Sequence, residues 1–174
     1  MTFRSNPFMR TLALLTLLAV GLMLGGCNTT APSEDLLYQP PAGPSVARIM
    51  GSTTQDSGLF GSRHVAYVLL VNGKFVRDAE EAWARNLTLA PGPQDLAVEY
   101  RSSVFRARTV FILEAKAGAT YLLQMKHGVE SPDERRYCEF VIVDAANGQP
   151  VTPVKHVYAT NSASDTKSNF RPLD

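Results

Sequence analysis

Apolar and polar positions follow three different patterns along the chain. Residues 12–24 form an apolar run that only Thr16 and Gly21 interrupt. Residues 27–44 are mainly polar and contain four prolines. From Ser45 onward, short apolar or alternating runs are separated by Gly, Pro, Asn and Asp, which is typical of strands and turns. The pattern therefore predicts an apolar leader, a linker and one β-rich domain.

The β-rich part is predicted to form a single antiparallel β-sandwich domain over residues 45–158, followed by a disordered tail over 159–174. No segment has a clear helical period, although residues 78–85 fit either one helical turn or a loop. A Gly/Ser-rich stretch between residues 51 and 62 is expected to be a surface loop. The predicted strands are 45–50, 65–71, 74–76, 86–89, 95–101, 108–114, 120–127, 137–144 and 151–154.

Two local patterns support this fold class. The apolar run 65–71 leads into Asn72-Gly73, the dipeptide that best tolerates the positive φ angles of a tight hairpin. Residues 95–101 alternate in polarity, as expected of a strand with one buried face. The side chains expected to point into the core are those of Leu96, Val98 and Tyr100.

The first 26 residues have the organisation of a secretory signal peptide. Arg4 and Arg10 precede the apolar run, and no acidic residue occurs before Glu34. The run is shorter than the ~20 residues that a membrane-spanning helix needs. Once it is removed, the net charge falls from +1 to −1, because two arginines and no acid leave with it.

The end of this segment, Leu24-Gly25-Gly26-Cys27, resembles the lipobox of bacterial lipoproteins. The resemblance implies a diacylglycerol thioether on Cys27, cleavage between Gly26 and Cys27, and acylation of the new amino terminus. Two or three acyl chains anchor a protein stably to a bilayer. The alternative is an ordinary signal peptide whose cysteine is coincidental. With Asn28 after the cysteine, the resemblance also implies the periplasmic face of the outer membrane, with residues 27–44 as a flexible tether.

The composition excludes several classes of function. Apolar residues make up 45% of the chain and charged residues 19%, as in a globular protein. A net charge near zero provides no field for binding nucleic acid. Contact with the membrane is therefore expected through the acyl chains on Cys27, and a protein partner is expected within the envelope.

Three segments resemble the PEGA-like and transthyretin-like β-sandwich modules of small envelope lipoproteins. They are the hairpin 70–76, the turn 87–93 with the strand 96–100, and the segment 117–123, which reads Ala-Gly-Ala-Thr-Tyr-Leu-Leu. A literal Pro-Glu-Gly-Ala is absent, and Gln94 stands where such modules often have histidine. The resemblance implies a β-sandwich in the cell envelope and no particular reaction.

Catalytic, metal and cofactor motifs are absent at the level of local spacing. His64, His127 and His156 form no zinc-protease pattern, and no phosphate loop or nucleophile elbow occurs. With Cys27 assigned to lipid, Cys138 is predicted to be a buried core thiol, the alternative being a reactive thiol or an intermolecular disulfide. We therefore expect no catalytic residue, no bound metal and no cofactor.

The candidate contact surface is a basic loop with an aromatic side chain, formed by Arg101, Phe105, Arg106 and Arg108. Arginine forks in such a loop bind carboxylates or phosphates. The alternative is a solvated loop whose arginines pair with Glu99 and Glu114. Trp83 is expected to pack in the core with Phe75 and Tyr100, or else to form a stacking platform for a sugar.

Three functions remain open at this level. The first is a non-catalytic accessory or interaction module of the cell envelope, and the second is a binding module for a small glycan, lipid or peptide. An uncharacterised hydrolase is the third, because no nucleophile, base and orienting partner stand out. A deep pocket holding Trp83 or the arginines would favour the ligand binder, whereas a flat sandwich with an exposed apolar edge would favour the accessory module.

Overall fold

The protein is a two-layer β-sandwich, as the alternating pattern predicts. The computed structural model describes residues 34–56 and 61–162, which form two packed, mostly antiparallel sheets. The predicted signal peptide, Gly26 and Cys27 lie outside the described residues. Within the described part, no helix is long and apolar enough to cross a bilayer. The elements are the 3-10 turn Glu34–Leu36 and the strands β1 Ala47–Met50, β2 Ser52–Gln55, β3 Arg63–Val71, β4 Lys74–Phe75, β5 Leu87–Leu89, β6 Gly92–Arg101, β7 Phe105–Ala115, β8 Thr120–Glu130, β9 Arg135–Asp144, β10 Lys155–Tyr158 and β11 Thr160–Asn161.

The strands form two sheets, and the chain first crosses from one to the other between β1 and β2. Sheet A has the order β11-β7-β6-β3-β2, with β4 also pairing with β3, and sheet B has the order β10-β9-β8-β1-β5. Paired strands are antiparallel except β1 and β8, which are parallel. The chain passes from sheet B to sheet A at Gly51. A Cβ atom there would lie 2.1 Å from the Ala66 carbonyl oxygen, so only glycine fits the crossover without backbone movement.

The structure confirms the hairpin and the buried side chains that the sequence predicts. Asn72 and Gly73 have φ angles of 49° and 77°, and β3 pairs with β4 across them in the expected hairpin. The alternating side chains of β6 and β9 belong to one buried core between the sheets. Those predicted to be buried and found there are Leu96, Val98, Tyr100 and Cys138, and Phe140 and Ile142 of β9 are buried beside Cys138.

Three boundaries predicted from the sequence are wrong. Residues 151–154 are not a strand, and the strand at this end is β10, which follows them. The expected surface loop contains β2, which pairs with β3, and the expected tail begins with β11, which pairs with β7. These three strands are short, polar and at sheet edges. Backbone pairing with a neighbour stabilises such strands without an apolar face, so the hydrophobic pattern does not reveal them.

Candidate functional site

A cavity of about 340 Å³ opens beside the crossover at Gly51 and is called the Trp83 cavity below. Its walls come from the chain before β1, from β1 and β3, and from the turns between β4 and β5. Arg77, Arg85 and Asn86 contribute exposed polar side chains to the lining. The apolar lining includes Leu37, Tyr38, Ile49, Val76, Trp83 and Leu87.

One wall is the end of the predicted tether, which packs on the domain. Leu37 bridges to Phe75, and the Tyr38 amide donates a hydrogen bond to the Phe75 carbonyl oxygen at 2.8 Å. The Tyr38 hydroxyl donates to the Thr88 carbonyl oxygen at 2.9 Å, and the Thr88 hydroxyl donates to the Pro41 carbonyl oxygen at the same distance. Burial raises the pKa of the Tyr38 phenol. The flexible tether predicted to reach residue 44 therefore ends earlier, since residues 37–41 are held by β4 and β5.

A second wall is the segment 77–85, which forms consecutive turns. The Ala82 amide donates to the Asp78 carbonyl oxygen at 2.8 Å, and the Gly51 amide donates to the Trp83 carbonyl oxygen at 2.8 Å. The second bond fixes this segment to the crossover between the sheets. The choice between helix and loop left open by the sequence is thus decided as a loop made of turns.

Trp83 lies in the wall of this cavity rather than in the core. Its side chain is half-buried, and the Arg63 guanidinium carbon lies 6.0 Å from the ring centroid. Tyr100 is buried in the core, whereas Phe75 is 40% exposed. The prediction that the three aromatic residues pack together in the core is therefore wrong for Trp83 and Phe75.

Arg108, predicted to contact a partner, is bound to a buried carboxylate. Tyr67, Glu99 and Arg108 stand opposite one another in a row across β3, β6 and β7. The Glu99 side chain is only 3% exposed and accepts hydrogen bonds from the Tyr67 hydroxyl at 2.6 Å and from Arg108 Nε. Burial, with the carboxylate as acceptor, raises the pKa of Tyr67 far above its ordinary value. This row belongs to the architecture of sheet A, as the alternative pairing with Glu99 predicts.

The other three residues of the predicted contact surface are each half-buried. Arg101 donates to Glu80 at 2.5 Å and lines a second, polar cavity of about 360 Å³. Arg106 stands opposite Arg101 in the pairing of β6 with β7. Phe105, predicted to be exposed, is half-buried against the core, with the Arg136 guanidinium carbon 4.6 Å from its ring centroid.

A second group of titratable side chains lies elsewhere, where sheets A and B meet. His64 and His127 are stacked with ring centroids 3.9 Å apart, and Asp56 Oδ2 lies 3.0 Å from His64 Nε2. The close approach of His64 lowers the pKa of Asp56, and partial burial with the neighbouring ring lowers the pKa of His127. Sequence spacing missed this group because its members come from β3, from β8 and from the position after β2, which only the folded sheets bring together.

Cys138 lies in the core opposite His127 in the pairing of β8 with β9. It is a free cysteine. Burial, with a contribution from Glu139, raises the pKa of its thiol to about 12. The thiol therefore stays protonated at neutral pH, and this confirms the prediction of a buried core cysteine over that of a reactive one.

Comparison of the chain with protein-family models, with curated proteins and with solved structures found no match.

Proposed function

We propose that this protein is a membrane-anchored, non-catalytic lipoprotein of the bacterial cell envelope that binds a small amphiphilic anion in the Trp83 cavity. One observation supports the binding role above the others. An apolar cavity holds the single tryptophan of the chain and has Arg77 and Arg85 in its lining. This is the kind of pocket that favours a ligand binder over a flat accessory module.

The chemistry of the lining suggests the ligand class. At about 340 Å³, the Trp83 cavity lies at the small end of the range for ligand pockets, about 300–1,000 Å³. Leu37, Ile49 and Trp83 offer an apolar surface to a hydrocarbon or aromatic group. The guanidinium groups of Arg77 and Arg85 suit a carboxylate or phosphate. A lipid-like molecule with a negative head group combines both features.

The proposed anchor would bring this cavity to its ligand. Leu37, the first lining residue, follows Cys27 by ten positions, so at most about 35 Å of chain separates the lipid from the cavity wall. Tethering at this distance raises the effective concentration of the cavity near the membrane. Asn28 after the lipidated cysteine supports the periplasmic face of the outer membrane as the location.

Trp83 emission tests the ligand directly, because the chain has one tryptophan. Dodecanoate should shift the emission of the purified protein in a saturable way, and dodecyltrimethylammonium, which has the same tail and the opposite charge, should bind at least about tenfold more weakly. The double variant Arg77→Gln/Arg85→Gln should lose about tenfold in dodecanoate affinity, equal to ~1.4 kcal/mol.

The control is Arg135→Gln, which removes an arginine outside the cavity and should leave the affinity unchanged. Equal binding of the two amphiphiles, or no saturable change with either, would contradict the proposed ligand class. A dodecanoate ester should be recovered intact after incubation, and its turnover would contradict the non-catalytic role.

A second candidate function is a protein contact along β7, and a specific observation favours it. Within the described residues, β11 covers the outer edge of β7 only at Phe105 and Arg106. On the outer face of β7, Val110 is 40% exposed and Ile112 is 73% exposed. An edge strand with exposed apolar side chains is suited to adding a strand from a partner.

Crosslinking in intact envelopes tests this contact. Ile112→Lys should abolish a crosslinked adduct of the protein, because a charge on the apolar edge opposes strand addition. Val129→Lys places the same charge at an exposed valine on β8 and should preserve the adduct. An adduct that survives Ile112→Lys would place the partner contact elsewhere.

A further inference from the structure

The geometry points to a binding site for one divalent transition-metal ion, of which Zn²⁺ is the best fit, formed by Asp56, His64 and His127. Asp56 follows β2, His64 lies in β3 and His127 lies in β8, so the three side chains join the two sheets. One candidate ligand atom from each lies within 4.8 Å of the other two. None of the three lines the Trp83 cavity, so this site is separate from the proposed ligand site.

The burial and the hydrogen-bond partner of His64 resemble those of a histidine that binds a metal. Its ring is buried, with 4% of the residue exposed, and its Nδ1 lies 2.8 Å from the Tyr100 hydroxyl oxygen. A histidine ligand commonly engages a hydrogen-bond partner through one ring nitrogen and the metal through the other. Tyr100 therefore acts as the positioning residue that directs Nε2 of His64 toward Asp56.

Nε2 of His64 is a buried nitrogen without a hydrogen-bond partner. Asp56 Oδ2 lies 3.0 Å away, within the distance of an ion pair. The contact is thus a close electrostatic one. Zinc bound tetrahedrally at ~2.0–2.2 Å to both atoms would separate them by about 3.3–3.6 Å. The observed spacing of 3.0 Å is slightly shorter, so a small outward movement of the exposed Asp56 side chain would admit the ion.

His127 completes the set from the other sheet. Its ring stacks on His64 with an angle of 20° between the planes, and its Nε2 lies 3.5 Å from the Thr54 hydroxyl oxygen. Near-parallel rings direct their nitrogen lone pairs alike, so the His127 side chain would rotate to bring a ring nitrogen to the shared ion. Neutral imidazoles are the form that binds metals.

The donor set indicates the class of ion and an open position. Two imidazole nitrogens with one carboxylate oxygen favour a borderline divalent ion over Mg²⁺ or Ca²⁺, which prefer oxygen ligands. Three protein ligands leave the fourth position of a tetrahedral zinc ion free for water or an exogenous ligand. The Asp56 side chain is 51% exposed, so the site is reached from solvent.

The backbone around Asp56 supports its placement. The Asp56 amide donates to the Ser62 carbonyl oxygen at 3.1 Å. A Cβ atom on Gly61 would lie 2.0 Å from the Asp56 carbonyl oxygen, so the close approach that fixes Asp56 requires glycine at this position.

The test uses the full chain, purified in detergent and treated with a chelator before zinc is added. Competition with a chromophoric zinc indicator should show about one Zn²⁺ per chain. His127→Ala and Asp56→Asn should each weaken binding by about a hundredfold or more, since even loss of an outer-shell partner costs about 10–100-fold. Tyr100→Phe should weaken binding about tenfold and keep the stoichiometry.

The matched control is His156→Ala, which removes an exposed histidine on β10 outside the cluster. Its zinc affinity should equal that of the unmodified chain. Zinc should also raise the melting temperature of the unmodified chain and of His156→Ala, but not that of His127→Ala, because an ion bound only by the folded state stabilises it.

Two outcomes would overturn the proposal. One is the absence of stoichiometric zinc binding at micromolar concentration by the folded chain. The other is an equal loss of affinity in His127→Ala and His156→Ala. Asp56→Asn changes an exposed side chain, so it remains informative if a histidine variant fails to fold. Neither result depends on Trp83 emission, so the zinc measurements test the metal site independently of the ligand proposed for the Trp83 cavity.

Discussion

Replacing Cys27 with serine should abolish attachment of lipid to this protein and leave the uncleaved precursor. A serine hydroxyl cannot form the thioether that receives the diacylglycerol, and in the proposed processing route cleavage before residue 27 follows that step. Membrane association through acyl chains would be lost with it, because each buried methylene contributes ~0.8 kcal/mol and nothing in the net charge replaces them. Labelling with a radioactive fatty acid, followed by fractionation, measures the result.

Cys138→Ala is the matched control for this substitution. It removes the only other thiol of the chain and places a small apolar side chain in the same core position. Labelling and cleavage should persist in this variant. If Cys27→Ser still yields labelled, mature protein in the outer membrane fraction, the lipobox interpretation is wrong.

Replacing Arg108 with methionine should lower the free energy of unfolding by about 3 kcal/mol. The change keeps most of the aliphatic side chain but removes the cation that faces Glu99, whose side chain is 3% exposed. Removing one partner of a buried ion pair costs about 3–5 kcal/mol, because the other charge stays buried without a compensating partner. Since Arg108 itself is 35% exposed, we expect the lower end of this range. Urea denaturation measures the loss.

Lys126→Met provides the comparison. Lys126 lies 3.9 Å from Glu139 with its side chain 74% exposed, and such surface pairs contribute about 0–1 kcal/mol. Adding Glu99→Gln to Arg108→Met should restore much of the stability, because glutamine is neutral and keeps an oxygen for the Tyr67 hydroxyl. A loss for Arg108→Met no larger than that for Lys126→Met would contradict the role assigned to this row.

The position of Arg108 also changes how the basic loop is best probed. Reversing its charge would place two carboxylates together in sheet A, so loss of a partner could follow from unfolding alone. Arg101 instead pairs with Glu80, both side chains being partly exposed, and Arg106 stands opposite Arg101 in the pairing of β6 with β7. A test of the loop as a contact surface is therefore cleaner at these two positions, with the melting temperature measured alongside.

Prediction from the sequence worked where neighbouring residues determine the conformation. The dipeptide Asn72-Gly73 specifies its hairpin because few other residues accept two consecutive positive φ angles. Alternation in β6 identified its buried face, because side chains of a strand alternate between its two sides. The fold class followed from these local signals.

Prediction failed where contacts between distant segments decide the result. Glu99 occupies an outward position of β6, yet Tyr67 and Arg108 on the flanking strands bury it. Trp83 was expected in the core but lines a cavity, since the Gly51 amide binds its carbonyl oxygen and holds the turn segment at the crossover. Edge strands such as β10 lacked an apolar face from which they could be predicted.

By itself, the sequence determined the strands of the core and the hairpin at Asn72-Gly73, because these depend on periodicity and on residues adjacent in the chain. Only the tertiary structure decided which polar side chains meet. His64 and His127 are 63 positions apart, and they stack because β3 and β8 face each other across the two sheets. Strand order and sheet packing arise from the burial of the whole core, and no local spacing records them.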